Sequence, residues 1–184
     1  MARTVSFSKE EILEKSVNYI KKYGYSSLTV RSLAKYIGCS TQPLFRNFEN
    51  FNVYKKELKG YLRKDYEFFI AKYVNKDDYL YTISYAYALF AKEEPNIFFS
   101  MFMADLAGSR TVKEVLDTDR NKETIIAMTK QYNISLEDAN KIYRDVRFYT
   151  HGMATQLCVN SIKLTEKEIK ALIKNNIEIN LRGN

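Results

Sequence analysis

Thr41, Gln42, Arg46 and Asn47 stand close together in the run TVRSLAKYIGCSTQPLFRNF, from Thr29 to Phe48. Their chemistry is that of base-edge recognition. Gln and Asn amides pair bidentately with adenine, a guanidinium pairs with guanine or phosphate, and a threonine methyl meets the methyl of thymine. Leu44 and Phe48 lie four residues apart and share a face for the core, which turns the four polar side chains outward on a helix about two turns long.

The residues before them supply the positioning. Thr29 is an N-cap type, Leu33, Ala34 and Ile37 recur at helical spacing, and Gly38 can adopt the positive φ of a tight turn. Ser40 is expected to cap the second helix. Pro43 then falls in its first turn, where a missing N–H has no intrahelical partner to lose.

The run is similar to the N-terminal helix-turn-helix of the TetR/AcrR family of bacterial transcriptional regulators. Thr29, Val30, Arg31, Leu33, Ala34, Gly38, Cys39, Ser40, Leu44, Phe45 and Phe48 match its pattern. The resemblance implies a DNA-contacting set of Thr29, Arg31, Ser40, Thr41, Gln42, Pro43, Phe45, Arg46, Asn47 and Lys55. Arg31 and Lys35 are expected to face phosphate, and Thr41, Gln42, Arg46 and Asn47 to choose sequence. Two departures stand out: Phe45 lacks the hydroxyl of the family's frequent tyrosine, and Glu49 and Phe51 stand where lysine is frequent.

Charge divides the chain unevenly. Residues 1–75 carry 14 Lys and Arg against 7 Asp and Glu, residues 76–184 carry 15 against 15, so the whole net charge of +7 sits in the first part. A basic module joined to a neutral one fits a polyanion-binding head on a body with another task. Only 6 Gly and 2 Pro in 184 residues favour helices over many-turned sheets. Cys39 and Cys158 have no ligand spacing and point to a reducing compartment. With no leader and no apolar run approaching ~18 residues, a cytoplasmic protein with no membrane partner is expected.

Along the chain, a capping box at Ser8 and Glu11 opens a first helix near Lys9, and Gly24 closes it. The arm before it, with Arg3, is expected to be loose in the free protein, with contact to a phosphate or the minor groove as the alternative. A long connector helix is expected over about 51–74 with Asn50 as cap, then a helix from Asp78 to about Glu94, a break at Pro95 and a short helix to about Met103. One helix of uncertain start ends near Tyr132. Ser135 opens another, running to about Ile162, and a capping box at Thr165 and Glu168 opens the last.

The segment YALFAKEEPNIFFSMF also resembles the family's ligand-binding body. By that resemblance Tyr66, Phe69, Tyr85, Phe98, Phe102 and Met103 surround a cavity for an unidentified small-molecule effector, although aromatics at helical spacing also serve as plain core. The last two helices, about 135–181, resemble the family's dimerisation pair; read from residues alone, they also fit an intramolecular hairpin.

No catalytic constellation is present: one His, no Gly-rich phosphate loop, no Cys or His ligand set. His151, inside a helix, reads as structural, as do the paired acids Asp77–Asp78 and Glu93–Glu94 at helix ends. The expectation is therefore an all-α protein with no enzymatic activity, metal or cofactor. It has a three-helix helix-turn-helix head (1–50) and a helical-bundle ligand-binding and dimerisation body (51–184), about nine helices in all. Its partners are a double-stranded DNA operator, a second copy of the chain and the effector. The alternative is a constitutive DNA-binding or protein-interaction protein on the same fold.

Overall fold

The computed structural model describes residues 7–104, 108–109 and 111–183, so Arg3 lies outside the described residues. Among them the chain is all-α, with ten α-helices and no strand. The helices are α1 (Lys9–Tyr23), α2 (Val30–Ile37), α3 (Gln42–Asn47), α4 (Phe51–Ala71), α5 (Tyr79–Glu93), α6 (Pro95–Phe102), α7 (Val112–Leu116), α8 (Asp119–Tyr132), α9 (Leu136–Cys158) and α10 (Glu166–Arg182). The tenth helix appears because the stretch before Tyr132 is cut in two. Thr111 caps α7 with Glu114, and Thr118 then caps α8 anew. No helix among the described residues is long and apolar enough to cross a membrane.

Helix ends follow local chemistry. Ser8 and Glu11 close a reciprocal capping box, with Glu11 N–H donating to Ser8 Oγ at 3.1 Å and Ser8 N–H to Glu11 Oε2 at 2.7 Å. Thr29 does the same with Ser32, and Thr165 with Glu168. α4 stops at Ala71 and α9 at Cys158, each a few residues short of the expected end.

Contacts divide the chain into two compact units, Met1–Glu67 with Glu94–Gly108, and Phe68–Glu93 with Ser109–Asn184. The division falls inside α4, and it groups α6 with the first unit. That unit is built on the buried stripe of α1 (Ile12, Leu13, Val17, Ile20), with Leu33, Leu44, Phe48, Leu58 and Phe98 also buried. Asn96 of α6 fastens to α1 by donating its amide to the Lys21 carbonyl at 2.9 Å.

In the second unit α5 is buried on nearly every side, from Tyr79 through Ala91, so it forms the centre against which α8, α9 and α10 pack. Its polar tips find partners: Tyr85 donates to Glu166 Oε2 at 2.7 Å, and the Tyr87 hydroxyl lies 2.8 Å from His151 Nδ1. His151 therefore stands in a structural contact.

Candidate nucleic-acid interface

Two short helices and a tight turn build the site. Gly38 ends α2 in the left-handed region at φ 80°, ψ 33°, and Ala34 O accepts from both Gly38 N–H and Cys39 N–H at 3.0 Å. A side chain at 38 meets no neighbour, so the demand for glycine there is conformational. Cys39 follows in a half-buried position that pushes its thiol up, away from the reactive thiolate.

The second helix begins one residue later than the Ser40 cap predicts. Thr41 is the capping position without a side-chain bond, while Ser40 Oγ accepts from Gln42 N–H at 3.4 Å. Pro43 sits in the first turn as expected. Leu44 and Phe48 are both buried, which leaves Gln42, Phe45 and Arg46 exposed on the opposite side and Thr41 half-buried.

Asn47 is tied to the backbone through its amide. Its amide donates to the Pro43 carbonyl at 2.7 Å and to the Phe7 carbonyl at 3.1 Å. With its Nδ2 donating to two backbone acceptors, the amide clamps α3 to the segment before α1 and keeps Oδ1 as its remaining polar atom.

Arg31, Lys35 and Arg46 are exposed and have no carboxylate within ion-pairing distance among the described residues. The cause is compositional: between Glu14 and Glu49 the chain has no acidic residue at all and six cations, Lys15, Lys21, Lys22, Arg31, Lys35 and Arg46. That acid-free window was legible but does not emerge from a charge split at residue 75. The structure also joins an aromatic patch to this surface, with the Tyr36 ring edge-on to Tyr19 at 5.3 Å and Tyr23 at 5.9 Å, and Lys22 over Tyr23 at 5.1 Å.

The start of α4 offers little to a phosphate. Asn50 Oδ1 accepts from Asn52 and Val53 N–H at 3.0 Å each, and Asn50 O accepts from Tyr54 N–H at 3.1 Å. The first-turn donors that bind anions at helix ends are thus largely occupied. Lys55, one turn in, lies over the Phe51 ring at 5.5 Å.

The six residues nominated for an effector separate between the units. Tyr66, Phe98 and Phe102 form an aromatic chain in the first unit, with ring centroids 5.4 and 4.9 Å apart, and Met103 is exposed beside it in sequence. Phe69 packs on Phe90 at 5.1 Å in the second unit, where Tyr85 is held by Glu166. None of the six lines the groove of about 610 Å³ that α7, α8 and α9 enclose.

Among the described residues no cluster of His, Cys, Asp or Glu is arranged to hold a metal ion, and neither cysteine is in a disulfide. No family model matches the chain, and no curated protein sequence matches it significantly.

Proposed function

We propose that the chain is a DNA-binding transcriptional regulator of the TetR/AcrR type, a cytoplasmic repressor that binds a palindromic operator as a homodimer and is released by a small molecule. The observation that carries the reading is the α2–Gly38–α3 arrangement. It buries Leu44 and Phe48 while presenting Gln42, Phe45 and Arg46 from a stretch of the chain, between Glu14 and Glu49, that contains cations and no acid. Arg31 and Lys35 supply phosphate affinity; Gln42 and Arg46 supply base choice.

The dimer rests on the outer faces of α9 and α10. Phe148 of α9 and Ile179 of α10 are each more than half exposed, as is Val159 just past the end of α9, and burying such side chains against a twofold mate removes apolar surface from water. Two heads then reach successive major grooves about 34–36 Å apart. An effector acts by its differential affinity for forms with different head spacing, a coupling of about 1–3 kcal/mol.

The test is fluorescence anisotropy on duplexes recovered by selection from a random library, against scrambled duplex, over a salt series. Tight, selective and steeply salt-dependent binding is expected, with Gln42→Ala and Arg46→Ala each losing about 1–3 kcal/mol and relaxing base preference. No binding even at low salt, or variants that bind like the parent, would remove α3 from a reading role.

A further inference from the structure

A groove in the second unit has a chemistry that points to an occupant. Its apolar floor is Val112, Leu116, Ile125, Ile126 and Leu136, and its volume of about 610 Å³ is in the range of small-molecule sites. Val112, Ile126 and Leu136 are each about half exposed, so three large aliphatic side chains from α7, α8 and α9 converge on one open surface. Single exposed aliphatics are ordinary; a lined concavity of them is a binding surface.

Charge around the groove is uneven. On the α9 side the ions cancel, since Lys141 bridges Glu137 at 2.9 Å and Arg144 bridges Asp145 at 2.7 Å. On the α7–α8 side they do not. Lys122 bridges Asp117 at 2.7 Å and feels Asp119 outside the lining, whereas Lys113 acts on Asp117 only through its charge, so the groove-lining residues on this side are two cations and one acid. Asp117 is accordingly held below the ordinary carboxylate range, by Lys122 first and Lys113 behind it.

The geometry points to a binding site for an amphipathic monoanion, an acyl-chain carboxylate of about a dodecanoate's length, with its chain on the Ile125–Ile126–Leu136 floor and its carboxylate at Lys113 and Lys122. The apolar floor explains the chain and the surplus cation explains the head group. A neutral ligand leaves the surplus charge unused, and a cationic one meets repulsion there. The site lies wholly in the second unit and does not depend on DNA binding by the first.

The test follows the isoleucine methyl resonances of the whole protein by NMR during titration with dodecanoate, octanoate and dodecyltrimethylammonium. Dodecanoate is expected to shift Ile125 and Ile126 selectively. Each buried methylene is worth about fourfold in affinity, so octanoate, four methylenes shorter, should bind roughly two-hundredfold more weakly, and the cationic amphiphile about tenfold more weakly than dodecanoate. Ile126→Glu, at an exposed position that tolerates charge, and Lys113→Glu should each weaken dodecanoate about tenfold. Unshifted Ile125 and Ile126 methyls overturn the proposal, as does equal affinity for the anionic and cationic amphiphiles. Both readouts need only the parent protein, so they decide the matter even if a variant fails to fold.

Discussion

Tyr54 of α4 donates its hydroxyl to Ser16 Oγ of α1 at 2.8 Å, and Ser16 passes a hydrogen bond on to the Ile12 carbonyl at 2.6 Å. Both side chains are buried, and burial pushes the Tyr54 phenol far above its ordinary range. A two-link polar relay inside an apolar core fixes how α4 seats on α1.

Removing the first link should therefore be costly but not ruinous. Tyr54→Phe leaves Ser16 able to donate to Ile12, so the loss is about 1 kcal/mol. Ser16→Ala leaves the Tyr54 hydroxyl buried without an acceptor, which costs about 1–3 kcal/mol. The double variant should recover part of that sum, a coupling of about 1 kcal/mol in urea melts followed by circular dichroism. Strict additivity would mean that the two hydroxyls do not act as a pair.

Much of the helical framework was readable because caps and glycines act through neighbours in sequence. Ser8 with Glu11, Thr29 with Ser32, Gly38 and Thr165 with Glu168 set boundaries by contacts three to five residues long. The groove was not readable. Val112, Ile126 and Leu136 have the composition of core residues, and only tertiary placement leaves them open. The Asn47 clamp falls between these cases. Its bond to Pro43 is the local i to i−4 pattern, but its bond to Phe7 spans forty residues.

That clamp separates two variants of α3 that sequence reading groups together. Asn47→Ala should lower the stability of the first unit by about 1 kcal/mol and weaken all duplexes alike, leaving base preference intact. Arg46→Ala, on an exposed side chain, should alter preference with little change in melting. Parallel binding selections on the two variants make the comparison; a changed consensus for Asn47→Ala would return that amide to base contact.

Alkaline titration probes the second unit. Burial, aided by the Glu123 carboxylate, pushes Tyr79 up to about 12, and burial with the Asp78 charge behind it does the same for Tyr132. A folded value above the unfolded ~10 favours the neutral phenol. The contribution is whole below pH ~10 and is lost as pH rises towards 12. Helix loss and tyrosinate absorbance should thus appear together above pH ~10. Tyr79→Phe should shift that transition upward while costing about 1 kcal/mol at neutral pH through the lost 3.2 Å bond to Glu123. An unshifted alkaline transition in Tyr79→Phe would show that this phenol does not resist ionisation in the fold.

The proposed dimer makes the last claim on solution behaviour. If Phe148 and Ile179 meet a second copy, light scattering should give twice the chain mass of 21.6 kDa, and Phe148→Glu with Ile179→Glu should return it to one chain. A charge placed in a desolvated apolar contact costs more than such an interface can spare, whereas the same charge on a solvated helix face costs almost nothing. Thermal melts of the variant at high dilution should therefore match the parent's. Operator affinity should fall steeply in the same variant, because two linked heads bind with an effective concentration that separate heads lack. A parent protein that scatters as one chain at tens of micromolar, or a doubly charged variant that still pairs, would move the interface off α9 and α10.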